Sequence, residues 1–413
     1  MLKFSSFSKL IKKYDRRIWY LFLARVFTSM GFGIVIPFLS IYLYSELGVP
    51  MKVVGTVFLL AALTRATTQL FGGELSDRYG RRLIMLWSMG GRTVTFLFLS
   101  LAILFNHHLI FIALAVMLTY GFGAMFMPAA DAMIADLVPE TDRIEAYGIQ
   151  RIGLNTGWAA GPAIGGFLSS LSYFWLFFST SLLFLIGYGV TYFFLRESHE
   201  GQKNKSRRQS LKELWDIRKN RDFLIFAFCA FLIFSIMTQI VSTLSVYVVS
   251  EVGLNKVSLG FLYTLNGVII IFLQFPGIAI MRRMRLTTAL AVGALAVALG
   301  YVIIIGATSF SILAVAISVI TIGEIFITPA GTTLTSNWAP RAEKGRYMGV
   351  YGLFQSFGRS FGPFYGGFLL DAFLHQPVIL WGTIAGVGLL SAVGFYSLRW
   401  RVAPETNLSL VEV

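Results

Sequence analysis

Cysteine is nearly absent: the chain has one, Cys229, in 413 residues. An intramolecular disulfide is therefore excluded. Charge is scarce as well. Asp, Glu, Lys and Arg make up 13% of the sequence, where a soluble domain carries about a quarter. Of the four histidines, His107 and His108 are adjacent, and so are not spaced one helical turn apart as a metal pair on a helix would be. No metal or cofactor is expected. No phosphate-binding loop occurs, which argues against direct use of ATP. Gly31-Phe32-Gly33 and Gly121-Phe122-Gly123 begin a dinucleotide-binding pattern. Both lack the third glycine and a following βαβ unit, and nothing in the chain reads as an enzyme.

What the chain has in abundance is apolar sequence: 56% of residues are hydrophobic. A helix needs about 20 such residues to cross a bilayer. Twelve stretches of that kind lie near 18–44, 53–75, 83–105, 109–136, 147–170, 172–195, 222–249, 257–280, 287–307, 310–336, 347–371 and 377–399. They are too long and too uniformly apolar for barrel strands. The first 17 residues are basic and polar and show no cleavable signal peptide.

The formal net charge of +14 is distributed by side, which rejects a nucleic-acid partner. Basic clusters occupy 3–17, 78–82, 196–221, 282–285, 341–346 and 399–401, all loops or tails on one side of a twelve-span topology. The opposite loops carry only Lys52 and Lys256. The positive-inside rule then puts both termini in the cytoplasm of a multi-pass plasma (cell inner) membrane protein. Asn204 and Asn407 open glycosylation sequons, but both fall on the cytoplasmic side and are read as chance.

The pattern G-x8-G-x3-G-P-x2-G-G occurs twice. Gly148, Gly157, Gly161, Pro162, Gly165 and Gly166 form the first copy; Gly349, Gly358, Gly362, Pro363, Gly366 and Gly367 form the second. The constant offset of 201 residues also carries Pro128 onto Pro329 and Pro139 onto Pro340. The chain is therefore two related halves, as many transporters are. The expected division is a six-helix bundle over 1–195, a cytoplasmic linker over 196–221, and a second six-helix bundle with a short tail over 222–413. Within the linker, Leu211, Leu214, Trp215 and Ile217 are spaced like an amphipathic helix lying on anionic headgroups.

The loop after the second span reads Gly73-Glu-Leu-Ser-Asp77-Arg78-Tyr-Gly80-Arg81-Arg82. It resembles the signature loop of the major facilitator superfamily, in sequence and in position. The resemblance implies an all-α membrane protein with twelve transmembrane helices in two pseudo-symmetric bundles that rock about a central cavity. It assigns Gly73, Asp77, Arg78, Gly80 and Arg81 to an inner gate, with Asp136 as the acid facing Arg81. Physically, Gly73 allows close helix approach, Gly80 a sharp turn, and Asp77 can face a helix N-terminus. A solvated basic turn is the plainer alternative. The equivalent stretch of the second half, 277–285, lacks the Asp.

The glycine-proline repeat resembles a motif of twelve-helix drug:proton antiporters. Gly157, Gly161 and Gly165 make a flat stripe for backbone contact, and Pro162 removes a helix donor; a seam between the halves is the expectation. Its second copy allows the plainer reading of a general packing device. Glu324, in Thr321-Ile-Gly-Glu-Ile-Phe-Ile-Thr-Pro329, sits near mid-membrane. A carboxylate there needs a wet or protein-lined cavity, and antiporters of this family carry an acid in this stretch. Glu324 is the first candidate for proton coupling, with a structural ion pair to an arginine as the alternative. Asp131 is a second proton site or a partner for Arg25.

Arg25, Arg65, Arg92 and Arg359 fall within spans, where they must pair, line water or snorkel. Facing a cavity, they would suit an anionic group. Gln239 and Asn266 complete the expected cavity wall; Ser235, Ser242 and Ser245 align with Gln239, although hydroxyls often bond their own helix. Where the family carries an arginine in the fourth helix, this chain has Leu118-Thr-Tyr-Gly121. The resemblance implies a monomeric, proton-coupled exporter of amphiphilic or drug-like compounds. The arginines motivate a second reading, a transporter or flippase of an anionic lipid or metabolite. A non-transporting receptor or scaffold has no need of both the Asp77 loop and Glu324.

Overall fold

In the computed structural model, residues 13–105, 108–139, 142–198, 220–340 and 344–408 are described. The linker helix expected over 210–219 lies outside them, as does His107. Twelve long helices run through the described residues. They are α1 Arg16–Ile41, α2 Met51–Tyr79, α3 Arg81–Leu104, α4 Leu109–Leu137, α5 Arg143–Leu171, α6 Tyr173–Phe194, α7 Arg221–Met237, α8 Lys256–Met281, α9 Leu286–Ile305, α10 Phe310–Trp338, α11 Lys344–Phe373 and α12 Pro377–Ser397. Among the described residues ten helices are long and apolar enough to cross a membrane by length and composition; α5 and α11, which carry the repeated glycines, are not among them. Large apolar side chains stand exposed along the helices, including Val94, Ile110, Phe193, Phe272 and Phe275. Lipid is the solvent that such faces fit.

Short polar residues start several helices. Asp15 accepts the Arg17 N–H at 2.8 Å, Asn220 the Phe223 N–H at 3.1 Å, and Asn255 the Ser258 N–H at 2.8 Å. Each satisfies a donor that has no intrahelical partner. Pro377 opens α12, where its missing N–H costs nothing. Gly48, Gly80 and Gly253 have positive φ in the turns before α2, α3 and α8. At Gly80 the space is also taken, since a Cβ would lie 2.6 Å from a Glu197 carboxylate oxygen.

Contacts divide the chain into two compact units. One holds α1 as far as Phe38, α2 from Leu60, and α3 to α6; the other holds 39–59 and α7 to α12. Packing repeats between the units. In the first, α3 lies on α4 and α6; in the second, six helices later, α9 lies on α10 and α12. The repeated glycines explain a second equivalence. Gly157, Gly161 and Gly165 of α5 meet the α1 backbone at Val26, Met30, Gly33 and Ile34. Gly358 and Gly362 of α11 meet the α7 backbone at Phe231 and Ser235. The stripe is thus a seam within each unit, α5 on α1 and α11 on α7, rather than the seam between halves expected from sequence. Gly148 and Gly349 do not belong to it, since a Cβ at either meets nothing within 4 Å.

The chain after each sixth helix turns back to cap a third. Glu197, following α6, accepts the Arg81 and Arg82 N–H groups at 2.9 and 3.0 Å, at the start of α3. Asn407, following α12, accepts the Leu286 N–H through its carbonyl at 2.8 Å and the Thr287 N–H through its side chain at 2.9 Å, at the start of α9. Asn407 is fully buried, so its sequon serves packing.

Candidate functional site

The second unit contains the mid-membrane carboxylate. Glu324 is half-buried on α10. Its polar surroundings are the Asn266 amide from α8 and the Arg359 guanidinium from α11. Asn266 Nδ2 donates to Thr321 Oγ1 at 2.7 Å, and Thr321, one turn before Glu324, donates on to the Ile317 carbonyl at 2.6 Å. Asn266 is thereby oriented. The Arg359 guanidinium lies 4.8 Å from the Phe234 ring centroid, which fixes its height on α11.

Close to this carboxylate, α7 is broken. It ends at Met237, continues as a tight 3-10 turn over Thr238–Val241, and resumes as the short helix Thr243–Ser250. A break at membrane depth frees backbone carbonyls, which must find donors inside the protein. Two phenols supply them. Tyr301 donates to the Ile236 carbonyl and Tyr263 to the Ile240 carbonyl, each at 2.5 Å. Tyr301 is also an electrostatic neighbour of Glu324. Sequence reasoning missed both tyrosines, because neither helix periodicity nor the repeat marks a hydroxyl that serves another helix.

Gln239 is not a cavity residue. It is fully buried in the α7–α11 seam, donating to the Gly362 carbonyl at 2.8 Å and accepting from Thr243 at 2.5 Å. The break needs a local side chain to bridge it, and that need places Gln239. Ser235 and Ser242 bond carbonyls one turn back on their own chain, and Ser245 that of Ile240.

In the first unit, Arg81 is the hub of the signature loop. It pairs with Asp77, reaches Asp136 at 3.4 Å through Nε, and donates to Ser76 at 3.1 Å. Ser198 adds a bond to Asp136 at 2.9 Å. Arg78 lies over the Tyr79 ring at 5.2 Å. Asp77 thus faces Arg81, and the helix N-terminus beside it is taken by Glu197. Gly73 makes no close approach, since a Cβ there meets nothing within 4 Å; its neighbour Gly72 does, with a Cβ 3.1 Å from the Met125 Cα. Glu197→Ala is expected to cost about 1 kcal/mol, the worth of a helix cap, with partial recovery in Glu197→Gln. Thermal melts of the purified protein measure it, and unchanged melting would deny the cap its role.

Arg25 is buried and pairs with Asp131, whose own backbone carbonyl accepts from Tyr147 at 3.1 Å. Of the other arginines in spans, Arg65 is exposed and Arg92 is completely buried. A further carboxylate that sequence reading passed over is Asp371, near the end of α11. Its two oxygens accept the Met51 and Lys52 N–H groups at 2.7 and 2.8 Å, capping α2 within the second unit. Gly367 lies against the same turn of backbone, and in the same unit Glu46 pairs with Lys256 at 2.9 Å.

Comparison with known proteins agrees with this architecture. The multidrug resistance protein MdtH of Cronobacter sakazakii is 25% identical over 95% of this chain and 95% of its own length. A Na(+), Li(+), K(+)/H(+) antiporter of Planococcus maritimus is 25% identical over 86% of this chain and 89% of its own. The crystal structure of a POT family transporter in complex with a thioalcohol-conjugated peptide superposes with a TM-score of 0.79 at 15% identity, covering 94% of this chain and 96% of that one, which shows a shared fold. The family profile described as Major Facilitator Superfamily matches residues 21–327 and again 286–411, so the chain belongs to the Major Facilitator Superfamily of membrane transporters and is not an enzyme.

Proposed function

We propose that this transporter is a proton-coupled exporter of amphiphilic or drug-like compounds, working by alternating access, with Glu324 as the proton carrier. The observation that carries the reading is the setting of Glu324: an acid deep in an apolar helix, beside an oriented amide, a guanidinium and the broken α7. Protonated, the group is cheap to hold in the membrane; ionised, it needs water, the arginine or a cationic substrate. Proton and substrate then favour different states, and one gradient drives the other. The relatedness to a multidrug resistance protein and to a cation/proton antiporter supports both halves of the reading. Asp131, already paired with Arg25, is the second candidate for the proton.

The test is transport by the purified protein in proteoliposomes with an imposed pH gradient, using a cationic dye and an anionic lysolipid in parallel. Accumulation of either against its gradient, abolished by a protonophore, is the expected result. Accumulation that ignores the protonophore would remove protons from the mechanism.

In the same reading Asp77, Arg81 and Asp136 form the inner gate. Asp77→Asn and Arg81→Ala are expected to slow transport while expression and substrate binding persist. Normal rates in both would reduce the loop to a membrane anchor.

Both termini and the 196–221 segment are assigned to the cytoplasm, from the one-sided distribution of loop bases. Cysteines placed at Ser206 and at His107 are expected to label from opposite sides. Native Cys229 is buried and does not compete for reagent. Labelling of both from one side would overturn the topology.

A further inference from the structure

We infer that Arg92, with Arg65 and Tyr120, forms a site for an oxyanion, a carboxylate or phosphate monoester carried on an apolar body, inside the first unit. The inference rests on the transport reading and adds a substrate class to it.

Arg92 is 0% exposed, and none of Nε, Nη1 and Nη2 has a hydrogen-bond partner among the described residues. Two aromatic rings lie against the guanidinium. Its carbon lies 4.1 Å from the Phe32 ring centroid and 4.2 Å from that of Phe184. Such stacking attracts the cation but leaves the donors, which all lie in the guanidinium plane, unused. Donors in that fixed fork match the oxygens of a carboxylate or phosphate.

The slot is built for this side chain. A Cβ on Gly123 would sit 3.1 Å from the Arg92 guanidinium carbon, so the helix backbone there is in close contact with the guanidinium. A Cβ on Gly31 would sit 2.6 Å from the edge of the Phe184 ring, so a second glycine admits the ring that covers Arg92. These are members of the two Gly-Phe-Gly tripeptides that resembled half a dinucleotide pattern. Their part here is to make room for one guanidinium and the rings against it.

The electrostatic neighbours of Arg92 are a like charge, Arg65, and the Tyr120 phenol. Tyr120 stands perpendicular to Phe32, with ring centroids 5.8 Å apart. Arg65 is exposed and Arg92 is buried. An unpaired buried guanidinium with a second cation and a phenol as electrostatic neighbours, set among aromatic rings, suits the negatively charged end of an amphiphile. An anion relieves their repulsion and uses their donors.

The test is equilibrium binding to the full-length protein in a neutral detergent, with no gradient. The probes are octyl phosphate, inorganic phosphate and octyltrimethylammonium. Octyl phosphate is expected to bind one per chain and to weaken at least about tenfold in Arg92→Gln and in Arg65→Gln, the worth of a lost charge-assisted bond. Arg92→Lys, which keeps the charge but not the fork, should bind with intermediate strength. Binding of octyltrimethylammonium should be unchanged. Inorganic phosphate binding as tightly as octyl phosphate, and lost in Arg92→Gln, would keep the oxyanion site while making a free anion its occupant. Octyl phosphate binding equally to wild type, Arg92→Gln and Arg65→Gln would overturn the inference and leave Arg92 a structural pin. Should Arg92→Gln fail to fold, Arg65→Gln and Gly123→Ala, which crowds the guanidinium, decide the matter in the same way. The assay counts bound probe with no gradient present, so loss of this site is read separately from loss of proton coupling, which only the proteoliposome experiment reports.

Discussion

Glu324→Gln is expected to abolish proton-driven accumulation in proteoliposomes while leaving downhill exchange of substrate in place. The neutral amide mimics the protonated carboxyl, which is the form cheap to hold in the membrane. It can accept the same hydrogen bond from Asn266, and it does not need the Arg359 charge that an ionised carboxylate uses. A carrier locked in its protonated form binds and releases substrate but moves no proton. The measurement is paired: uphill accumulation under a pH gradient, and counterflow without one. Should Arg359 instead hold Glu324 as a fixed ion pair, the amide leaves a charge without its partner, and the variant melts early and expresses poorly. A stable variant that still accumulates substrate with normal proton movement would pass the role to Asp131.

Gly161→Leu and Gly362→Leu are expected to have the largest effect on the fold. A Cβ at Gly161 lies 2.8 Å from the Met30 carbonyl oxygen and 2.9 Å from the Gly33 Cα, both backbone atoms of α1. At Gly362 the obstacle is the backbone carbonyl of Ser235 in α7. Backbone cannot yield as a side-chain tip can, so the two helices must separate along the whole seam. Each substitution is expected to cost at least about 3 kcal/mol, the upper range for overpacking. Separation at Gly362 also strips the Gln239 bond that bridges the break in α7. Gly148→Leu and Gly349→Leu are the controls. They occupy the same sequence pattern but meet nothing within 4 Å, and are expected to stay within about 0.5 kcal/mol of wild type. Thermal melts of the four variants decide it. Equal destabilisation in all four would mean that added bulk anywhere on these helices is what costs, and not closure of the seam, since helix propensity alone favours Leu over Gly.

The helices were legible because the bilayer imposes one length and one composition on each. The stretch expected at 109–136 is found as Leu109–Leu137, and that at 377–399 as Pro377–Ser397 followed by a short 3-10 turn. The repeat was legible because close helix contact demands the same small residues wherever it recurs. Partners were less so. The repeated glycines do not say which helix they touch, and a seam expected between the halves lies within each. Gln239 shows why polarity in a span is ambiguous. A polar stripe faces either a cavity or a defect in its own helix, and α7 has the defect. The caps were invisible for another reason. Asp371 serves α2 from 320 residues away, and the repeat offset places Ser170 at the matching point of the first half, where its hydroxyl bonds the Phe167 carbonyl. No local pattern encodes such a contact. Arg81 was legible because the loop pattern itself, a glycine followed at once by the arginine, marks it, whereas Asp136 came only from the family resemblance; the structure pairs the two.

The most direct test of the account is substrate-induced proton movement without any imposed gradient. Wild-type protein and Glu324→Gln are reconstituted into liposomes holding a trapped pH indicator, and substrate is added outside at equal pH. The account predicts that inward substrate movement drives protons outward in the wild type, so the interior turns alkaline, and that the signal vanishes in Glu324→Gln although labelled substrate still enters. Substrate uptake by the wild type with no change of internal pH would contradict proton coupling, and an undiminished alkaline shift in the variant would contradict the assignment of the proton to Glu324.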